Sequence, residues 1–336
     1  MRKISYSEAI DLAIGQAMAE DECIIMFGED VPAMHAGLVS RFGSKRIMGT
    51  PISEGAFVGA AVGAAMAGLR PIVEVMLVDF IGVAMDAIFN HAAKVRSFSG
   101  DKWTVPMVIR TACGGGYGDG GQHEQSLWGW LGHIPGLKVV VPSTPEDAAG
   151  LMLSAIRDDD PVVFMEHKLL SDSWLDFMGY GGRKTVSFDV PPEGRIADMF
   201  EPFRPIGMGK GIVRREGSDV SIISIGVSVH RAIESAEMLA ERKFDCEVID
   251  LRTVWPPDKY MIIESVKKTG NLLVVDEDYE NFGLSAEIAA IALEAGLSFR
   301  FKRVCTNSTI PYDRQREYKI LPNNVRIMNA VSDLLR

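Results

Sequence analysis

Apolar positions along the chain fall into two alternating patterns: short continuous apolar runs, and longer stretches in which apolar residues recur at helical spacing. The first helix is opened by a capping box, Ser5-x-x-Glu8, and reaches about Ala19. A buried-strand run, Cys23 to Phe27, ends at Gly28-Glu29-Asp30, and a loop follows through Phe42 before a short extended piece, Arg46 to Met48. Pro71 to Leu77 reads as a strand, Asp79 as the cap of a long helix to about Arg96, and Val105 to Thr111 as another strand. After the glycine-rich run 113–123 come a strand at 137–141, a helix opened by Ser143-x-x-Glu146 to about Arg157, and a strand at 162–165. The rhythm breaks over 170–205, where glycine and proline cluster, and then resumes with strands at 219–225, 246–250, 271–276 and 299–304. Helices at 227–242, 258–268, 285–294 and from about Val325 lie between and after them. Continuous rather than alternating strands, interleaved with helices, predict parallel sheets covered on both faces. The fold class is therefore α/β in two domains, 1–180 and 206–336, joined by a linker at 181–205.

One stretch stands out within this pattern. Residues 54–68 read as a single helix, with Pro51 and Ser53 before it and Gly68 and Pro71 after it. Gly55, Gly59, Gly63 and Ala67 recur every fourth residue and draw a ridge of almost no side chain down one face. A neighbouring backbone can approach such a ridge closely, which suits a buried helix at an interface. The run is too short for the roughly 18 to 20 residues that a bilayer needs.

Composition narrows the partners. The 336 residues carry a net charge of −10, which disfavours nucleic acid and anionic membrane, since both call for a cationic surface. Four scattered cysteines without a Cys-x-x-Cys pair suit a reducing compartment, and an N-terminus lacking an apolar signal region leads us to expect a cytoplasmic protein.

Candidate chemistry is sparse. Gly116-x-Gly118-x-x-Gly121 fits the dinucleotide fingerprint in form and keeps a nicotinamide oxidoreductase open, but no Asp or Glu stands between Glu124 and Glu146 to hold a ribose. No phosphate-binding Gly-Lys-Ser/Thr, no metal spacing among the histidines and no serine-nucleophile elbow is present. On spacing alone, Glu54 is an acid favoured by a helix dipole, Phe80 a core aromatic and His123 a loop residue. A noncatalytic structural subunit also remains open.

The residues resemble a known family: the β subunits of the thiamin-diphosphate-dependent first component of 2-oxo acid and acetoin dehydrogenase complexes, in the transketolase-like superfamily. The resemblance spans nearly the whole chain. It is carried by Gly28-Glu29-Asp30, Thr50-Pro51-Ile52-Ser53-Glu54 with Gly59 and Gly63, and Ala67-Gly68-Leu69-Arg70-Pro71. Asp79-Phe80, Gln122-His123-x-Gln125-Ser126, Pro135 to Val140, Asp160-Pro161 and Ile249 to Thr253 add to it.

That resemblance implies a pyrimidine-binding domain followed by a smaller transketolase C-terminal-like domain. It implies that Glu54 bonds a ring nitrogen of the cofactor, that Phe80 stacks on the pyrimidine with Ile52 and Met76 lining the pocket, and that His123 handles the intermediate. The family's potassium site, built largely of backbone carbonyls, falls near Met107, Ala155, Asp158 and Asp160. The superfamily's diphosphate and Mg2+ motif is Gly-Asp-Gly with a later Asn-Asn; Gly118-Asp119-Gly120 has only the first half, since residues 140–155 contain no Asn. The chain is thus expected to hold the pyrimidine half of the cofactor while an α subunit supplies the diphosphate half and Mg2+, in an α2β2 assembly with a β–β contact. The reaction implied is decarboxylation of a 2-oxo acid (pyruvate or branched-chain), or cleavage of acetoin, with acyl transfer to lipoyl of an acyltransferase core. Asp79 to Gly82 and Gln125-Ser126-Leu127 lean toward the acetoin or pyruvate type.

Overall fold

The computed structural model describes residues 1–180, 191 and 194–336, and its strands gather into three sheets. The strands are β1 (Arg2–Ser5), β2 (Ile24–Gly28), β3 (Ile47–Gly49), β4 (Arg70–Leu77), β5 (Val108–Cys113), β6 (Lys138–Val140) and β7 (Val162–His167). They continue with β8 (Ile196–Met199), β9 (Ile212–Arg215), β10 (Val220–Ser224), β11 (Cys246–Asp250), β12 (Thr253–Trp255), β13 (Asn271–Tyr279) and β14 (Arg300–Thr306). Among the described residues the largest sheet runs β12-β6-β7-β5-β4-β2-β3 and the second β14-β13-β10-β11-β9. Both are parallel inside, and each carries one antiparallel edge strand, β12 and β9.

Successive side chains on a strand point to opposite faces, and here both faces are apolar. Ile24, Met26, Ile72, Val108, Val162 and Phe164 pack with helices Tyr6–Glu20 and Pro145–Arg157. Phe27, Val73, Val75, Ile109, Val163 and Met165 pack on the other side with Phe57 and Val58 of the Glu54–Met66 helix. This second core runs on through Ile223, Ile249 and Leu272 of the smaller sheet, so the two halves share one hydrophobic cluster.

Several elements depart from the sequence reading. β12 comes from the second half yet pairs with β6, extending the first sheet across the expected boundary. The N-terminal Arg2–Ser5 pairs antiparallel with β8, and a helix, Asp172–Tyr180, stands where an irregular connection is expected. Residues 181–190, 192 and 193 of the linker at 181–205, including Gly181-Gly182 and Pro192, lie outside the described residues. Val31–Met34 and Ala36–Phe42 are two short helices instead of a loop. The long helix from Asp79 is instead a 3₁₀ segment Val78–Ala84, a π-turn segment Asp86–Ala92 and a short helix Val95–Phe98. Asp79 is not a cap there because its carboxylate accepts from Gln125 Nε2 at 2.8 Å. Likewise Ser143 gives its hydroxyl to Asp250 at 2.5 Å, and Thr144 caps the following helix by accepting from Asp147 N.

Candidate functional site

In a parallel sheet the carboxyl ends of the strands share one edge, where loops can converge. That edge carries Glu29 and Asp30 after β2, Thr50 after β3, Asp79 and Phe80 after β4, the loop 114–123 after β5 and Lys168 after β7.

Glu54 opens the helix that follows β3. It is only 9% exposed, and among the described residues no hydrogen-bond donor reaches its carboxylate. Partial burial, then the charges of Asp30 and Glu54, push the neighbouring Glu29 upward, which marks the three acids as electrostatic neighbours. The helix buries Phe57, Val58, Ala61, Val62 and Ala65 and is not buried all round: Ala56, Ala60, Gly63 and Ala67 are exposed. A side chain added at Gly59 or Gly63 would meet nothing within 4 Å. The small-residue ridge is thus an open face of this chain.

Phe80 and His123 meet edge to face, with ring centroids 5.8 Å apart and planes at 85°. Met76 and Phe80 both pack on the cluster of Leu77, Ala112, Tyr117, Trp174 and Met178, whereas Ile52 stands 74% exposed on the same edge. The His123 ring offers a buried Nδ1 with no hydrogen-bond partner, while its backbone carbonyl accepts from Tyr117 Oη at 2.8 Å and from the Lys168 ammonium. Lys168 is fully buried with its Nζ 4.7 Å above the Tyr117 ring, and burial holds its pKa below the ordinary lysine value against the opposing pull of Asp79 and Glu124. Sequence reasoning missed Lys168. The available signal was three polar residues, Glu166-His167-Lys168, at the carboxyl end of an apolar strand.

The glycine loop does not cradle a phosphate. Its amides are already taken: Gly115 N by Glu277 at 2.8 Å, Gly116 N by Glu317 at 2.7 Å, and Tyr117 N and Gly120 N by Glu124 at 3.0 and 2.9 Å. Four carboxylate contacts leave no place for a pyrophosphate, so the nicotinamide reading fails.

The residues named for potassium are satisfied by protein groups. The carbonyls of Met107, Ala155 and Asp158 accept from Val162 N, Asp158 N and Arg70 Nη1 at 3.0, 3.3 and 3.0 Å. The Asp158 carboxylate binds Lys138 Nζ at 2.7 Å through both oxygens, and that of Asp160 pairs with Arg96 and Lys138. Among the described residues no group of three or more His, Cys, Asp or Glu side chains is placed to hold a metal ion.

The chain matches two family descriptions in succession: transketolase, pyrimidine binding domain, over residues 2–172, and transketolase, C-terminal domain, over 209–327. It is 40% identical to the β subunit of acetoin:2,6-dichlorophenolindophenol oxidoreductase of Cupriavidus necator, covering 100% of this chain and 98% of that one. It is 41% identical to the β subunit of the pyruvate dehydrogenase E1 component of Rickettsia felis, over 98% and 97% of the two chains. Identity to the β subunit of 2-oxoisovalerate dehydrogenase of Bacillus subtilis is 39%, over 88% and 85%. A solved split-gene transketolase, described as an inactive β4 tetramer, has the same fold, with a TM-score of 0.78 over 99% of this chain and 98% of that one at 20% identity. The chain belongs to the transketolase-like family of dehydrogenase β subunits.

Proposed function

We propose that this chain is the β subunit of a thiamin-diphosphate-dependent dehydrogenase that decarboxylates a 2-oxo acid or cleaves acetoin and passes the acyl group to a lipoyl acceptor. Its partners in this reading are an α subunit in an α2β2 assembly, a second β subunit and a lipoyl-bearing acyltransferase core. The observation that carries it is the buried Glu54 carboxylate at the mouth of a helix whose small-residue face lies open to another chain.

The residues fit a pyrimidine ring. Glu54 lacks a protein donor and can hold a proton against a ring nitrogen, Phe80 presents an apolar ring for stacking, and Met76 keeps water from its edge. Thiamin diphosphate, when bound, supplies a carbanion nucleophile and an electron sink. His123, with its unpartnered Nδ1, is placed to move a proton at the substrate, and Ile52 at the rim closes the pocket once the partner covers it. The diphosphate and Mg2+ are left to the α subunit, because the amides of Gly115, Gly116, Tyr117 and Gly120 are held by carboxylates, which repel a diphosphate. Potassium keeps its proposed corner at Met107, Ala155, Asp158 and Asp160 as a structural ion and enters no step, since a backbone carbonyl that accepts one protein donor retains a second lone pair. Residues 1–180 form the pyrimidine unit and 206–336 the unit offered to the acyltransferase, in the cytoplasm. No helix among the described residues is long and apolar enough to cross a membrane.

The test is reconstitution with the α subunit and assay of thiamin-dependent turnover of pyruvate, 2-oxoisovalerate and acetoin. Glu54→Gln should lower kcat by about 10²- to 10⁴-fold, the usual worth of a positioned acid–base group. Full activity in that variant would overturn the assignment.

A further inference from the structure

The residue after His123 turns its side chain back into the loop that carries the histidine. Glu124 is fully buried and accepts from Tyr117 N at 3.0 Å and Gly120 N at 2.9 Å, which sets its carboxyl beside that of Glu317 on the adjoining amide, Gly116 N. Glu317, equally buried, belongs to the helix Arg314–Ile320 of the second half and accepts from Gly116 N at 2.7 Å and from Arg314 Nη1 at 3.0 Å. Two carboxyls can bond to each other only when one of them carries a proton.

We propose that Glu124 and Glu317 are positioning residues for His123: a single proton shared between their carboxyls fastens the loop 114–123 to the Arg314–Ile320 helix and so fixes the imidazole against Phe80. The loop is also held by Tyr117 Oη and Lys168 at the His123 carbonyl and by the buried Tyr117 ring, but its glycines add no packing of their own. Gly114, Gly116, Gly118 and Gly120 all lie at positive φ, between +74° and +119°, a region that fixes nothing by side-chain packing. Four of its amides are divided among the carboxylates of Glu124, Glu317 and Glu277, while Gly114 N and His123 N bond the carbonyls of Gln125 and Gly120. The loop also lies close against the segment leading into that helix, since a Cβ on Gly120 would fall 2.6 Å from the Tyr312 ring. Burial first, then the charge of Glu317 and the bond to it, push Glu124 up to about 8. The charged and titratable groups facing the pair are Arg314 on the helix, Tyr117 and Asp119 in the loop, Asp79 after β4, Lys168 after β7 and Glu277 on β13. Above pH 8 the proton leaves, two carboxylates face each other in a dry site, and the loop loosens.

The role given to His123 rests on the proposed function; the fastening of the loop does not. Two readouts on the full chain separate them. Amide hydrogen exchange over residues 114–123, corrected for intrinsic rates, should rise about tenfold from pH 7 to pH 9 in the wild type, as the protonated fraction falls to about a tenth. It should be independent of pH in Glu124→Gln, which has no carboxyl to ionise, but faster than the wild type at pH 7, because the amide nitrogen cannot accept both Tyr117 N and Gly120 N; it should be fast at both pH values in Glu124→Ala. In the reconstituted α2β2 enzyme, the alkaline limb of kcat near pH 8 should disappear in Glu124→Gln while KM at pH 7 is unchanged. Exchange that is independent of pH in the wild type, or untouched in Glu124→Ala, overturns the proposal. Absence of turnover in every chain would instead overturn the proposed function, and the exchange data would still decide the fastening of the loop.

Discussion

His35 is held between two carboxylates in the interior, with Nδ1 2.9 Å from Asp11 and Nε2 3.1 Å from Glu74. Arg110 completes the network, 3.2 Å from Asp11 and 3.0 Å from Glu166. Burial alone would lower the pKa of His35, but the charge of Glu74 and the bonds to Asp11 and Glu74 outweigh it and raise the value from 6.5 to about 9. Because the folded value lies above the unfolded one, this stabilisation is complete below pH 6.5 and is lost as pH rises through 9. Urea unfolding should show the wild type exceeding His35→Asn by on the order of 2–3 kcal/mol more at pH 6 than at pH 9. An equal gap at both values would show that His35 gains nothing from its neighbours. None of this network was legible in the sequence: Glu74 and Arg110 sit inside runs that read as apolar strands, and only the pairing of β4, β5 and β7 lines them up. Glu54 and His123, by contrast, were legible through the resemblance, while Lys168 and Glu124 were not, because their partners lie on other elements.

Among the elements, the Glu54–Met66 helix is the most informative, since one face packs on the sheet and the other is exposed in this chain. Phe57, Val58, Ala61 and Val62 hold it to the sheet, and on the outer ridge a Cβ at Gly59 or Gly63 would meet nothing within 4 Å, while one at Gly55 would approach Val83 O at 3.3 Å. Gly63→Ala should therefore stabilise the isolated β chain by about 0.5–1 kcal/mol, the helix-propensity gain of alanine over glycine. Gly63→Leu should leave its melting temperature unchanged within a degree or two, yet weaken assembly with the α subunit or with a second β at least tenfold, as read by analytical ultracentrifugation. Normal assembly of Gly63→Leu would show that the ridge is not an interface. Periodicity located this helix and its small-residue spacing and suited it to a buried place at an interface. The face it shows to solvent is set by where the neighbouring strands and the Val78–Ala84 turn pack. The broken segment after Asp79 was illegible for a similar reason, since Asp79 bonds Gln125 from a distant loop.

At the scale of the whole molecule the two halves are joined by buried charge as well as by apolar packing. Glu277 at the end of β13 is bonded to His167 of β7 at 2.7 Å and to Arg231 at 2.9 Å, all of it inaccessible or nearly so. Burial opposes its ionisation, but the charge and bond of His167, then Arg231 and the Gly115 amide, bring Glu277 down to about 2. With the folded value below the unfolded 4.5, this stabilisation is present above pH 4.5 and is lost as pH falls toward 2. Glu277→Gln should cost about 3–5 kcal/mol at pH 7, as expected when a buried ion pair loses one member. Calorimetry should show one unfolding transition in the wild type and two in Glu277→Gln. A single transition of unchanged midpoint would mean that the shared apolar core alone couples the halves.

By itself the sequence determined the α/β class, the order of most strands and helices, and the stretch from Thr50 to Gly68 that carries the family's acid, because these depend on local periodicity and on neighbours within a few residues. The tertiary structure alone decided that β12 joins the first sheet, that amides of the glycine loop are taken by carboxylates instead of a phosphate, and that Glu124, Lys168 and Glu317 all bond the backbone of the loop that carries His123. Those outcomes depend on groups far apart in the chain whose charges must be satisfied once water is excluded, and no local pattern records which distant partner will satisfy them.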